Sequence, residues 1–283
     1  MKTIGNAGLQ TVKNIIVESI GTSSIYCLGE RKKNQSVLNP FSENNSKKEK
    51  HTHFYLLVFT NEKIANAVAD ISDIVKTKTQ GRYTVTLLVH KAKSNHFLKP
   101  HQLYFYHAVL TKGCKVYEYQ NMPQNIAFDE VPKRNIDYIR SYWKNRNIVA
   151  KNFLRSENQI DCMDTGVVQE SMMHTAVEQI CLGLINVFLG YHPDHFSMAY
   201  LFEICEIFTP LTSEIFPQTT SEDKKLFDLL KAHPGSLRWA NLKKSCLLDT
   251  KLLAKRCNLF HERACELVEA ELERIDNLYN KES

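Results

Sequence analysis

Residues 23–35, SSIYCLGERKKNQ, carry an apolar strand into a lone glycine and then a burst of positive charge. After a long polar stretch the chain returns at 51–61 as HTHFYLLVFTN, a second apolar strand. Strand, glycine turn, loop, strand is how some phosphate-transfer sites are laid out. Further along, Arg238 and Trp239 stand beside Lys243 and Lys244. An aromatic ring among cations suits bases and phosphates, so these four are candidate nucleotide- or RNA-binding residues; the ordinary reading is a helix end where Trp239 plugs a bundle. His174 and Glu178 lie four apart on one helical face, where they bond each other or help bind a polar ligand such as a nucleotide. His51, His53 and His90 could meet across neighbouring strands as three imidazoles, but solvated loop and strand-end histidines are the commoner outcome, and no metal site is expected. The runs RKK at 31–33 and KKEK at 47–50 would attract a nucleic-acid backbone nonspecifically, or simply keep the surface soluble.

These residues need elements to position them. Residues 23–29, 54–60 and 81–92 are rich in β-branched and aromatic types and read as strands, with a short fourth at 114–120. Between them, residues 10–20, 61–79 and 100–113 read as helices, the second on the stripe Ile64, Ala67, Val68, Ile71, Ile74 and Val75. Alternating strands and helices argue for an α/β unit. Residues 31–52 lack periodicity and read as a long surface loop, expected to be mobile. From about residue 125 the pattern becomes helical, with amphipathic segments at 134–157, 194–208, 220–233 and 248–279. The segment 165–190 is apolar over much of its circumference and closes at Gly190, the place of a helix C-cap. TSED at 220–223 has the content of a helix start. The expected fold is therefore α+β, with an α/β domain over 1–125 and an antiparallel helical bundle over 126–283.

At 283 residues the chain is long enough for two cores, and its net charge of +5 is only mildly basic. Its eight cysteines include no C-x-x-C pair, which argues against a zinc ribbon or a disulfide framework and for buried reduced thiols. The amino terminus lacks the continuous apolar stretch of a signal peptide, and no segment reads as the roughly 20 apolar residues of a membrane span. A cytoplasmic protein with no membrane partner is expected.

The second half resembles the HEPN family of small all-α domains named for nucleotide binding. MMHTAVEQICLGLINVFLGYHP is similar to the family's second helix, with Thr175, Ala176 and Glu178 before a long apolar stretch that ends in Gly190, Tyr191 and Pro193. IFPQTTSEDKKLFDLLKAHPGSLRW is similar to the segment that closes on a basic-aromatic pair, here Arg238 and Trp239 where Arg-Tyr is usual. A histidine common after the turn is replaced by Phe196, with His195 adjacent. The likeness covers about residues 135–275. In bacteria such domains often follow a nucleotidyltransferase domain, whose signature is an apolar strand ending Gly-Ser and a following strand with Asp-apolar-Asp. Carboxylates at i and i+2 share one face of a strand and hold Mg²⁺ against a triphosphate. Here Gly29 is followed by Glu30, whose charge repels a triphosphate. The carboxylate positions fall on His53 and Tyr55, and the third strand offers Thr84, Thr86, Leu88 and His90. Imidazole and phenol cannot replace hard anionic oxygens around Mg²⁺. The first domain is thus expected to keep a nucleotidyltransferase-like layout without transferase activity.

The same resemblance singles out RCNLFH, residues 256–261. Many HEPN domains are metal-independent ribonucleases with an Arg-x4–6-His motif, two copies meeting across a homodimer. Arg256 would stabilise the phosphate's developing charge and His261 would move the 2′-OH proton. On a regular helix an i, i+5 pair diverges by roughly 140°, and the residue after the arginine is Cys257 where the motif favours a polar one. The ordinary alternative is a surface charge and a helix-face histidine. The sequence therefore implies first a nucleotide- or RNA-binding module with no cofactor, second a ribonuclease using Arg256 and His261, and third a non-catalytic adaptor in a bacterial regulatory or defence system.

Overall fold

The computed structural model describes residues 7–37, 47–62, 64, 66–91, 99–119, 131–157, 159–160, 162–231, 233–235 and 247–280. Backbone contacts divide the chain into two compact units, Met1–Pro132 and Lys133–Ser283.

In the first unit, helix α1 (Ala7–Ser19) precedes β1 (Thr22–Val37) and β2 (Lys47–Thr60); α2 (Ala67–Lys78) leads to β3 (Tyr83–Lys91). A 3-10 turn at Pro100–Gln102 runs into α3 (Leu103–Lys112) and then β4 (Cys114–Glu118). The sheet order is β3-β2-β1-β4. β1 is antiparallel to both β2 and β4, while β2 and β3 are parallel. A parallel pair cannot be closed by a tight turn, and α2 supplies the crossover.

Residues alternate faces along each strand. One face presents Ile25, Cys27, Phe54, Leu56, Val58, Val85 and Leu87 to α1 and α2, which return Leu9, Val12, Ile16, Ala67, Ile71 and Val75. The other carries His53, Tyr55, Leu57 and Phe59 on β2, and meets α3 where Tyr106 contacts the rings of Phe59 and His90. Covered on both sides, β2 is buried from Thr52 to Thr60, which is why its sequence is almost continuously apolar.

Two features of β1 correct the sequence reading. Residues 31–37 and 47–52 are not loop: they pair as an antiparallel ladder running from Arg31 opposite His53 to Val37 opposite Lys47. Residues 38–46 lie outside the described residues. Antiparallel pairing is a backbone interaction, so a ribbon lacking one apolar face gives no period-2 signal. Nor does the strand end in a turn at Gly29. It passes through Gly29, which pairs with Tyr55 beside an irregularity in the register between Cys27 and Gly29.

The second unit comprises α4 (Ile136–Glu157), α5 (Cys162–Leu189), α6 (Met198–Cys205), α7 (Leu211–Ile215), α8 (Ser221–Leu230) and α9 (Leu247–Asn280). Helix α5 is central, packing against α4, α6, α8 and α9. Met173, Ala176, Val177, Ile180, Cys181, Leu184, Ile185 and Val187 are fully enclosed. Gly183 lets α4 approach closely, since a Cβ there would lie 2.5 Å from the Trp143 ring. The helix closes at Gly190, whose φ of +65° is the left-handed conformation glycine adopts freely. The buried Arg134 guanidinium donates to the last-turn carbonyls of Asn186, at 3.2 Å, and Val187, a cation set against the negative end of the helix.

Contrary to the sequence reading, one segment, Gly166–Leu189 of α5, is long and apolar enough to cross a membrane; 67% of its most apolar stretch is buried inside the structure, as in the core helix of a globular unit. Cys27, Cys114, Cys181, Cys205, Cys257 and Cys265 are free thiols; burial pushes the thiols of Cys27, Cys181 and Cys257 upward in pKa and keeps them protonated.

Candidate functional site

On the α3 face of the sheet, the i, i+2 alternation places His53 and Tyr55 side by side, with ring centroids 4.8 Å apart. His53 lies 2.7 Å through Nδ1 from the Thr84 hydroxyl and 3.0 Å through Nε2 from that of Thr86. Thr84 also reaches His51 Nε2 at 3.0 Å. His53, Tyr55 and Thr86 are buried. The two His53 nitrogens are both taken up by threonine hydroxyls, and no residue of 51–60 or 83–91 is acidic. The β2 and β3 strands therefore offer Mg²⁺ none of the anionic oxygens it prefers. Glu30 is held by Lys32 at 2.6 Å, and Gly29, spent on the ladder, forms no phosphate-cradling turn. His90, at the far end of β3 against Tyr106, does not join His51 and His53.

A different group converges in the second unit. His174 and Glu178 stand one turn apart on α5, with Nε2 and Oε2 separated by 3.7 Å. His174 is only 3% exposed. Its Nδ1–H donates to the Leu230 carbonyl at the end of α8, 2.8 Å away. In the neutral ring that bond makes Nε2 the lone-pair nitrogen, and among the described residues Nε2 has no hydrogen-bond partner. His233, just beyond α8, meets the His174 ring edge to face with centroids 5.3 Å apart. Ligand atoms of His174, Glu178 and His233 all lie within 4.8 Å of one another. His174 and His233 border a cleft of about 500 Å³ whose walls also include Phe196, Ser197, Met198 and Lys231. Phe196 stands 49% exposed at its edge, and Lys231 is paired with Asp228 at 2.6 Å.

Arg256 and His261 lie on the uninterrupted helix α9 and turn to different neighbours. Arg256 donates to Asp223 on α8 at 2.8 Å. Asp223 also completes the capping box of that helix with Thr220, whose hydroxyl accepts from the Asp223 N–H at 3.0 Å. Those bonds, from Arg256 first and then Thr220, hold the Asp223 carboxyl well below the usual carboxylate range. His261 donates through Nε2 to Asn147 on α4 at 2.6 Å, with the Cys265 sulfur 3.8 Å away. Burial, then the charge of Lys151, lowers the imidazole's pKa, against an opposing pull from Glu262. Among the described residues of one chain, the two side chains share no hydrogen-bond partner.

Of the residues the sequence singled out, His174 with Glu178 and His53 with Tyr55 are brought together. Arg238, Trp239, Lys243 and Lys244 lie outside the described residues. Sequence reading missed His233 as a partner of His174, and Lys231 as a wall of the cleft; no local pattern links either to α5. A comparison with protein-family models finds no match, and no curated protein matches the chain.

Proposed function

We propose that the protein is a HEPN-like, cytoplasmic nucleotide- or RNA-binding protein that takes its ligand in the cleft floored by His174, with the first unit as a scaffold that performs no nucleotidyl transfer. The observation that carries this reading is a buried imidazole, one nitrogen fixed by a backbone carbonyl and the other without a hydrogen-bond partner among the described residues, on a residue that lines a cleft of about 500 Å³. That volume falls within the range of small-molecule sites. Nε2 suits a ribose hydroxyl or an exocyclic amine, exposed Phe196 suits the face of a base, and Lys231 suits a phosphate. The nucleotidyltransferase-like reading of the first unit is supported by its order of a β1–β2 antiparallel pair followed by parallel β3, and weakened by the unbroken strand at Gly29. The ribonuclease reading, with a homodimer joining two Arg256–His261 motifs, is weakened by the engagement of Arg256 with Asp223.

The test is calorimetric titration of ATP, GTP and a short single-stranded RNA into the full chain at low salt in a chelator-containing buffer. Saturable binding is expected, weakened about tenfold by Phe196→Ala, the loss of one base–aromatic contact. Indifference to all three ligands would sink this reading in favour of the adaptor.

A further inference from the structure

We infer that His174, Glu178 and His233 form a binding site for a divalent transition-metal ion of the zinc class. Two imidazoles and one carboxylate are a donor set that zinc accepts in sites with an open fourth position. Nitrogen donors favour zinc and its neighbours over Mg²⁺ and Ca²⁺.

The Nδ1–H bond to Leu230 directs the lone pair of neutral His174 through Nε2, and Nε2 faces Glu178 Oε2 across 3.7 Å. An ion placed between these two atoms would be liganded by both from one helical face. The bond from Nδ1–H to a backbone carbonyl is the outer contact that fixes the tautomer of a metal-binding histidine. Glu178 has an outer contact as well, since Gln179 Nε2 lies 3.4 Å from Oε1.

The third donor is at hand. All three ligand atoms fall within 4.8 Å of one another. Zinc bonds of about 2.0–2.2 Å require ligand atoms somewhat closer than that. The adjustment falls on His233, which is exposed and sits beyond the end of α8, rather than on the enclosed His174. His233 Nδ1 accepts the Gly235 N–H at 2.9 Å. Coordination requires the His233 ring to turn and release that N–H to water. His174 and Glu178 supply two donors from one helix, and His174 and His233 both line the cleft. The inference does not rest on nucleotide binding, because the ion is titrated alone.

The experiment takes the full chain, stripped with chelator and dialysed, and titrates it with Zn²⁺ alone, with Co²⁺ as a spectroscopic substitute. His233→Ala changes an exposed side chain and Glu178→Gln preserves shape, so both variants are expected to fold; circular dichroism and Tm without metal verify this. The expected result is one equivalent of tight binding in wild type, a Tm raised by the ion, cobalt bands of a nitrogen- and oxygen-ligated site, and affinity reduced about 10–100-fold in each variant. Equal affinity in wild type and both variants would overturn the inference by placing the ion elsewhere, on the thiols for instance. No binding at up to about 1 mM, the edge of useful affinity, would overturn it too. Nucleotide titration in chelator addresses the earlier reading separately, so either can fail alone.

Discussion

The Arg256 guanidinium reaches across from α9 to Asp223 at 2.8 Å, and Asp223 is the same carboxylate that caps α8 through Thr220. The arginine of the ribonuclease-like motif thus ties two helices together. This explains why Asp223 is held so far below the ordinary carboxylate range. A depressed folded-state pKa gives stability that is present above the unfolded value, about 4, and fades as pH falls toward the folded value. Asp223→Asn should therefore lower Tm at pH 7, and its deficit relative to wild type should shrink between about pH 4 and pH 2. Thr220→Ala should cost about 1 kcal/mol by loss of the cap. Thermal melts across pH check both.

Glu157 carries the opposite sign. It is buried at the end of α4, and Oε2 has no hydrogen-bond partner among the described residues, so burial raises its pKa. A carboxyl whose folded pKa is raised costs stability once pH climbs above the unfolded value. Glu157→Gln should stabilise the chain at pH 7 by about 1 kcal/mol, the scale of one unanswered buried polar atom. The gain should vanish below about pH 4, where the wild-type residue is protonated in both states. Paired melts at neutral and acid pH read this directly.

A mixed RNA pool incubated with the protein in EDTA should remain intact. His261 is engaged with Asn147 and Arg256 with Asp223, on opposite neighbours of α9. Cleavage abolished by both Arg256→Ala and His261→Ala would restore the ribonuclease reading.

Labelled ATP with Mg²⁺ should yield no nucleotidylated product, because the sheet face that would hold the ion carries His53, Tyr55, Thr84 and Thr86. His53→Ala should instead be a stability variant. It strips both threonine hydroxyls of a buried partner and should cost about 2–3 kcal/mol, measured by denaturant unfolding.

The elements were legible where apolar period and cap chemistry speak locally. Phe54 to Phe59 announce β2, Gly190 marks the end of α5, and TSED places the start of α8 at Ser221. The polar half of the β1–β2 ribbon was not, because its pairing is carried by backbone groups of any composition. The five-residue helix Leu211–Ile215 is too short to show a period. Half the site was readable, since His174 and Glu178 share a helical face at i, i+4. His233 was not: only the packing of α8 on α5 carries it to His174, and long-range packing leaves no spacing in the sequence.

The most direct measurement of the central claim is ¹⁵N NMR of the His174 imidazole during addition of ATP or GTP in chelator. Binding in the cleft predicts that the Nε2 resonance moves in step with saturation while Nδ1, held by Leu230, stays nearly fixed. A saturable nucleotide that leaves Nε2 unmoved, or no response to either nucleotide, would contradict it.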